Sequence, residues 1–252
     1  TAGVNALAAS GTLTVGDNTG AANSATLALL ADNQMPDSTA LVLNSDGRIS
    51  MGTASDSIST IAGTGQIDLG TTGKLTIGAD NSSSSFSGSA TGTGTLEKLG
   101  TGSLTLNTDI NYGGTLELGG GTLVLNNMDL SVTNLVITAD TVLDFSGVSS
   151  NIFAGTLSFL STSITLNIIN WNKNVDYFYA SMWSGATQDL FDNLGATPMS
   201  QIVFNAPTWS GNNTGWDSYD DQIYPNVPEP STYGLIFMAL CSALFAFRKY
   251  RS

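Results

Sequence analysis

The chain has 252 residues, 7 Lys and Arg against 20 Asp and Glu, no His, and a formal net charge of −13. Nucleic-acid binding needs clustered basic side chains that displace phosphate counterions, so this balance excludes it. The missing imidazole excludes Ser-His-Asp and Cys-His nucleophiles and every His-containing zinc site, and the single Cys241 excludes an intrachain disulfide.

The chain begins "TAGVNALAASGTLTVG", already strand-like, without an initiator Met or a signal peptide. It reads as a mature form or as a fragment whose start is missing. From residue 11 to 170 a short pattern returns: Gly or Thr, then an apolar–polar–apolar triplet. It occurs as "GTLTVG" (Leu13, Val15), "GQIDLG" (Ile67, Leu69), "GKLTIG" (Leu75, Ile77) and "GSLTLN" (Leu104, Leu106). It continues as "GTLELG" (Leu116, Leu118), "GTLVLN" (Leu123, Leu125), "TNLVIT" (Leu135, Ile137) and "SITLNI" (Ile164, Leu166, Ile168). Alternation at period two puts the aliphatics on one face of a strand and the polar residues on the other. One stretch interrupts it: Ala25 to Ala31 is expected to form a short helix ended by Asp32-Asn33. An extended "TALVLNSDGRI" follows, turning at Asn44-Ser45-Asp46-Gly47.

Of the acids, 17 are Asp and 3 are Glu, a bias toward turns rather than helices. Strands this short bury little alone, but stacked at about 4.8 Å they form a continuous core. The expected fold is therefore all-β: a parallel β-helix or solenoid over residues 1–170, with a β-sandwich as the alternative.

From Trp171 the text changes. Residues 171–224 hold all four tryptophans, Trp171, Trp183, Trp209 and Trp216, and read as an aromatic-rich cap on the open solenoid end. Trp209 and Trp216 are also candidate glycan contacts, with Asp217, Asp220 and Asp221 nearby. Asp-Ser-Tyr-Asp-Asp lacks the spacing of a calcium loop, so no metal site is expected. A carbohydrate-active β-helix enzyme is a further alternative, since Asp68, Glu97 and Glu117 sit on strands where they could point outward together. Acids on a solvated strand face are commonplace, however, and the expectation is no enzyme and no cofactor.

Residues 225–232 are expected to be a Pro-containing linker, and 233–252 a C-terminal transmembrane helix with a basic tail. "GLIFMALCSALFAF" would span about 21 Å as a helix, short of the roughly 30 Å hydrocarbon core. Tyr233 and Tyr250 suit the two interfaces, and Arg248, Lys249 and Arg251 stop transfer and keep that end cytoplasmic. The body then lies outside the inner membrane, which calls for an export signal upstream.

Two stretches resemble known families. Phe86–Asn127, "FSGSATGTGTLEKLGTGSLTLNTDINYGGTLELGGGTLVLNN", is similar to the autotransporter-associated β-strand repeat of bacterial surface and secreted proteins. Its "TDINYGGT" lacks the Thr that the family has before the Tyr. The order Val227-Pro228-Glu229-Pro230, apolar run, basic end resembles the PEP-CTERM sorting signal. The resemblance implies recognition by an exosortase, a membrane-embedded protease or transpeptidase, with removal of the tail and delivery to the cell surface or extracellular polymer. The expectation is thus an exported structural or adhesive protein, held transiently in the inner membrane, with extracellular polysaccharide as a candidate partner. A glycan-binding module is the rival reading, and an ordinary Pro-capped membrane anchor is the rival for the tail.

Overall fold

Along most short strands buried and half-exposed residues alternate, and the buried ones are mostly aliphatic. In Thr122–Leu125, Leu123 and Leu125 are buried while Thr122 and Val124 stay half-exposed. Such strands pair turn upon turn in the computed structural model, which describes residues 11–172, 175–185, 201–206, 209–211, 214–217 and 221–225. The result is a parallel β-solenoid of about 7 turns, with no α-helix among the described residues.

Three sheets wall the core. The first runs Thr12–Val15, Ala40–Leu43, Thr60–Gly63, Ser84–Phe86, Ser103–Leu106, Thr122–Leu125, Thr141–Asp144, Leu166–Ile169, Ile202–Ala206 and Trp209–Gly211. The second holds Ala25–Ala28, Gly47–Ser50, Gln66–Asp68 and Ser89–Thr91. The third begins at Ser55–Ile58 and continues through Lys74–Ile77, Thr95–Leu99, Ile110–Gly119, Asp129–Ile137, Asn151–Phe159 and Tyr177–Gly185, before Gln222–Pro225 and Thr214–Asp217. Thr95 pairs with Thr115 and Ser103 with Thr122, so a turn takes 20 and 19 residues there. Turn-to-turn pairing is parallel, which excludes the β-sandwich alternative, whose sheets are antiparallel.

This register makes ladders of like residues. On the first sheet Leu104, Leu123, Leu143, Ile168 and Phe204 lie one above another, all buried. On the third, Leu75, Leu96, Leu116, Leu135 and Leu157 do the same.

The helix expected over Ala25–Ala31 is not formed. Ala25–Ala28 is a strand paired in parallel with Gly47–Ser50, its edges completed by Ala25 N donating to Asp46 O (3.1 Å) and Leu29 N donating to Ser50 O (2.9 Å). Ala and Leu favour helix in isolation, but here the neighbouring coil supplies a ready ladder and the tertiary pairing overrides propensity. The turn expected at Asn44–Gly47 is present, with Gly47 N donating to Asn44 O at 2.8 Å.

The abundance of Asp and Asn is explained at the corners, where backbone N–H groups leave the sheet ladders. Asn18 N donates to Asp46 (2.8 Å), Thr101 N to Asn81 (2.9 Å), Asp129 N to Asp109 (2.9 Å) and Thr165 N to Asp140 (2.8 Å), each across one turn. Asn18, Asn23, Asn33, Asn81, Asn127 and Asn170 also take the positive φ that these corners require.

From Ile110 on, the second and third sheets merge into long bent strands. The bend falls at Tyr112–Thr115, where the register shifts and the Tyr112 hydroxyl donates to Thr115 O. A Cβ on Gly114 would lie 2.3 Å from Gly94 O, so only glycine fits this close approach of two turns.

Parallel coiling continues past residue 170, through Tyr177–Gly185 and Ile202–Ala206. The chain then reverses: Trp209–Gly211 and Gln222–Pro225 pair antiparallel with the last parallel strands, and Thr214–Asp217 pairs with Gln222–Pro225. The core beneath turns aromatic. Trp171 packs edge-on against Phe145 and Phe204, with centroids 5.0 and 5.1 Å apart. The sorting motif at 227–230 and the whole of 233–252 lie outside the described residues. Among the described residues no helix is long and apolar enough to cross a membrane.

Candidate functional site

The core uses the inward half of every strand, so function falls to the outward columns and corners. Three groups of side chains stand out there or break the inward pattern.

The first group is ionic and lies on the third sheet. Glu97 and Glu117 are register partners on adjacent turns, and Lys74, one turn before Glu97, reaches both: 3.0 Å to Glu97 and 2.7 Å to Glu117. Thr76 donates its hydroxyl to the other oxygen of Glu97 at 2.7 Å. Burial works against the Lys74 ammonium, but hydrogen bonds and charge from Glu117 and Glu97 outweigh it and hold its pKa above the ordinary lysine value. A hydrolytic carboxylate pair needs one acid poised to give a proton, whereas here a cation bridges the two.

Asp68 does not join them. It sits on the second sheet, where Arg48 pairs with it, Ser50 donates to it at 3.1 Å and Gly70 N at 3.0 Å. Burial raises its pKa, but these three donors and the Arg48 charge leave it below the usual carboxylate value. The sequence expectation of one outward acidic group over Asp68, Glu97 and Glu117 is thus corrected: two share a face, and the third faces elsewhere.

The second group is the inward Lys98. Its ladder neighbours are Ile77 and Leu118, and it is 2% exposed. Its ammonium donates to Gly120 O (2.9 Å), Gly100 O (3.1 Å) and Leu99 O (3.3 Å), pinning one corner of two successive turns. Burial pushes its pKa down to about 8, while the three carbonyls favour the charged form. The sequence held the signal for this: in "TLEKLG", period two puts Lys98 on the same face as Leu96.

The third group is aromatic and outward. Phe153 and Tyr179 are register partners with near-parallel rings, 5.1 Å between centroids at 8°, and Tyr177 continues the row at 5.8 Å and 13°. Phe153 is 40% exposed and Met182, further along the Tyr179 strand, 59%. Beside this row runs a polar column: Asp109 accepts from Asp129 N, Asp129 accepts from Asn151 Nδ2 at 2.7 Å, and Asn151 accepts from Tyr177 N at 3.1 Å. Sequence reasoning missed the row because Phe153 lies 26 residues before Tyr179 and meets it only through the register.

The tryptophans singled out from sequence fall on different sheets. Trp209 opens an antiparallel strand on the first, paired with Ala206, and Trp216 pairs with Ile223 on the third. Asp220, Val227, Pro228, Glu229, Pro230, Arg248, Lys249 and Arg251 lie outside the described residues. Among the described residues no cluster of three or more metal-capable side chains occurs. Comparison of the chain with protein-family models, with curated proteins and with solved structures finds no match.

Proposed function

We propose that this chain is an exported bacterial structural or adhesive protein, delivered to the cell surface or extracellular matrix after exosortase processing of a PEP-CTERM tail. The observation that carries the reading is the order of parts along the chain. The described fold closes with the antiparallel strand Gln222–Pro225, and Val227-Pro228-Glu229-Pro230 follows in sequence before the apolar run and basic tip. A cut after that motif would leave every described strand in place.

Physical chemistry supports each step of this route. Pro228 and Pro230 restrict the backbone to extended conformations, which suits an enzyme reading the chain at the membrane face. The apolar run, about 21 Å as a helix, is marginal as a lasting anchor and sufficient as a temporary one. Arg248, Lys249 and Arg251 set its orientation. The body, on this reading a member of the autotransporter-associated repeat group, presents long outward columns that suit display and contact.

The test is a triple substitution, Pro228→Ala, Glu229→Ala and Pro230→Ala, followed by cell fractionation. The proposal expects the variant to accumulate in the inner membrane while the wild type is released outward. Equal release of both would contradict it, and equal retention of both would favour the ordinary membrane anchor.

A further inference from the structure

The outward aromatic row on the last turns is the feature that the solenoid core does not explain. We propose that Phe153, Tyr177 and Tyr179, with the neighbouring acids Asp109 and Asp129, form a docking surface for a polysaccharide carrying free amino groups. The inference deepens the surface-display reading by naming the partner's chemistry, and its test does not depend on export.

Three observations converge on that chemistry. First, the rings are near-parallel, partly exposed and bordered by small side chains. Ser131 is the register partner of Phe153 and Asn111 that of Ser131, so two turns of low polar relief lead up to the row. Gly155 follows on the Phe153 strand and Thr133 on the Ser131 strand, where the Thr133 hydroxyl donates to Gly113 O at 2.9 Å. An extended polymer can lie across such a surface and bring flat apolar faces against the rings.

Second, Asp109 and Asp129 are both exposed and repeat once per turn in the adjoining column. The ladder engages one oxygen of each, with Asp129 N on Asp109 and Asn151 Nδ2 on Asp129.

Third, between residues 99 and 247 the sequence holds one basic residue, Lys173, against 12 acidic ones, in a chain of net charge −13. This acidic excess, with the exposed Asp109 and Asp129 beside the row, opposes anionic polymers and favours cations, and ring faces add to that preference.

A ligand for this surface combines a rigid, flat apolar face with a positive charge. An amino-sugar ring has both, and its repeat presents them in series. A lysine-rich peptide has the charge, but its long stems lose rotamer entropy on ordering.

The test is co-sedimentation of the full chain, kept in mild detergent, with four insoluble or bead-bound polymers. These are poly-glucosamine, a neutral glucan, a polyuronate and polylysine. The expected result is retention on poly-glucosamine above the other three. Phe153→Ala and Tyr179→Ala should each weaken it about tenfold, with the thermal midpoint unchanged. Asp109→Asn with Asp129→Asn should weaken it likewise, while Asp37→Asn with Asp80→Asn, which remove the same charge at other corners, should not. Since Phe153 is exposed, Phe153→Ser provides a second variant that keeps the fold. Retention indifferent to the aromatic substitutions, or equal on polylysine, would overturn the proposal by reducing binding to bulk charge. Equal retention on the neutral glucan would overturn the amino-group requirement. A chain that binds poly-glucosamine but is never released from cells would refute the export reading alone.

Discussion

The coils between Thr95 and Asp144 and the coils beyond Phe145 use the same inward columns, yet fill and connect them differently. In the middle, Leu116, Leu123, Leu135 and Leu143 form aliphatic ladders, and turns take 19 or 20 residues. Toward the end, Phe145, Phe159, Trp171, Phe178 and Phe204 fill the core, and Asn151 pairs with Tyr177, 26 residues on. Aliphatic ladders of nearly constant turn length can be extended turn after turn, because each coil offers the next a similar face. Large rings packed edge-to-face, with antiparallel strands laid over the final edges, do not offer that face again. The middle propagates the fold and the end terminates it.

That contrast predicts different consequences for core damage. Leu116→Asp places an unpaired carboxylate in the middle of the stack and should abolish cooperative unfolding, a loss above about 4 kcal/mol seen by circular dichroism in denaturant. Phe204→Ala at the end should cost about 3–5 kcal/mol locally. Hydrogen exchange should then quicken in Ile202–Ala206 and Leu166–Ile169, while amides of Thr95–Leu99 keep their protection. Equal exchange gains in both regions would show that the middle and the end are not energetically separable.

The next effect is confined to the middle and depends on pH. Lys98 has a lowered pKa in the fold, about 8 against 10.5 when free, so the unfolded chain binds more protons between those values. Stability should rise as pH climbs from about 8 to 10.5, by on the order of 2 kcal/mol once the carbonyl bonds are allowed for. Lys98→Met should flatten that rise. An unchanged pH profile in the variant would assign the slope to other groups.

The smallest effect belongs to the outward ion group. Lys74→Ala should cost less than about 1 kcal/mol, because partly exposed pairs gain little in water, and the loss should shrink with added salt. A loss of several kcal/mol would mean that the bridged Glu97–Glu117 pair is a structural clamp.

The solenoid was legible where its strands carry aliphatics, because "GTLVLN" and its relatives state the period-two pattern in full. Strands such as Ser84–Phe86 and Ser89–Thr91 were not legible. Ser84–Phe86 sets one large inward residue, Phe86, beside an inward Ser84, and Ser89–Thr91 turns only Ala90 inward. Neither shows the aliphatic alternation, and only register against Leu104 and Ile67 reveals them. The false helix at Ala25–Ala31 failed for the same reason: local propensity was visible and the partner strand was not. The aromatic row was hidden by distance along the chain. The site expected from tryptophan content, at Trp209 and Trp216, followed composition, whereas Phe153 and Tyr179 are brought together by pairing.

The delivery of this body by a removable tail is the central claim, and intact-mass analysis of protein released from cells tests it most directly. The account predicts a chain that keeps the Gln222–Pro225 strand and lacks the segment after Pro230. A released protein that still ends at Arg251-Ser252 would contradict it.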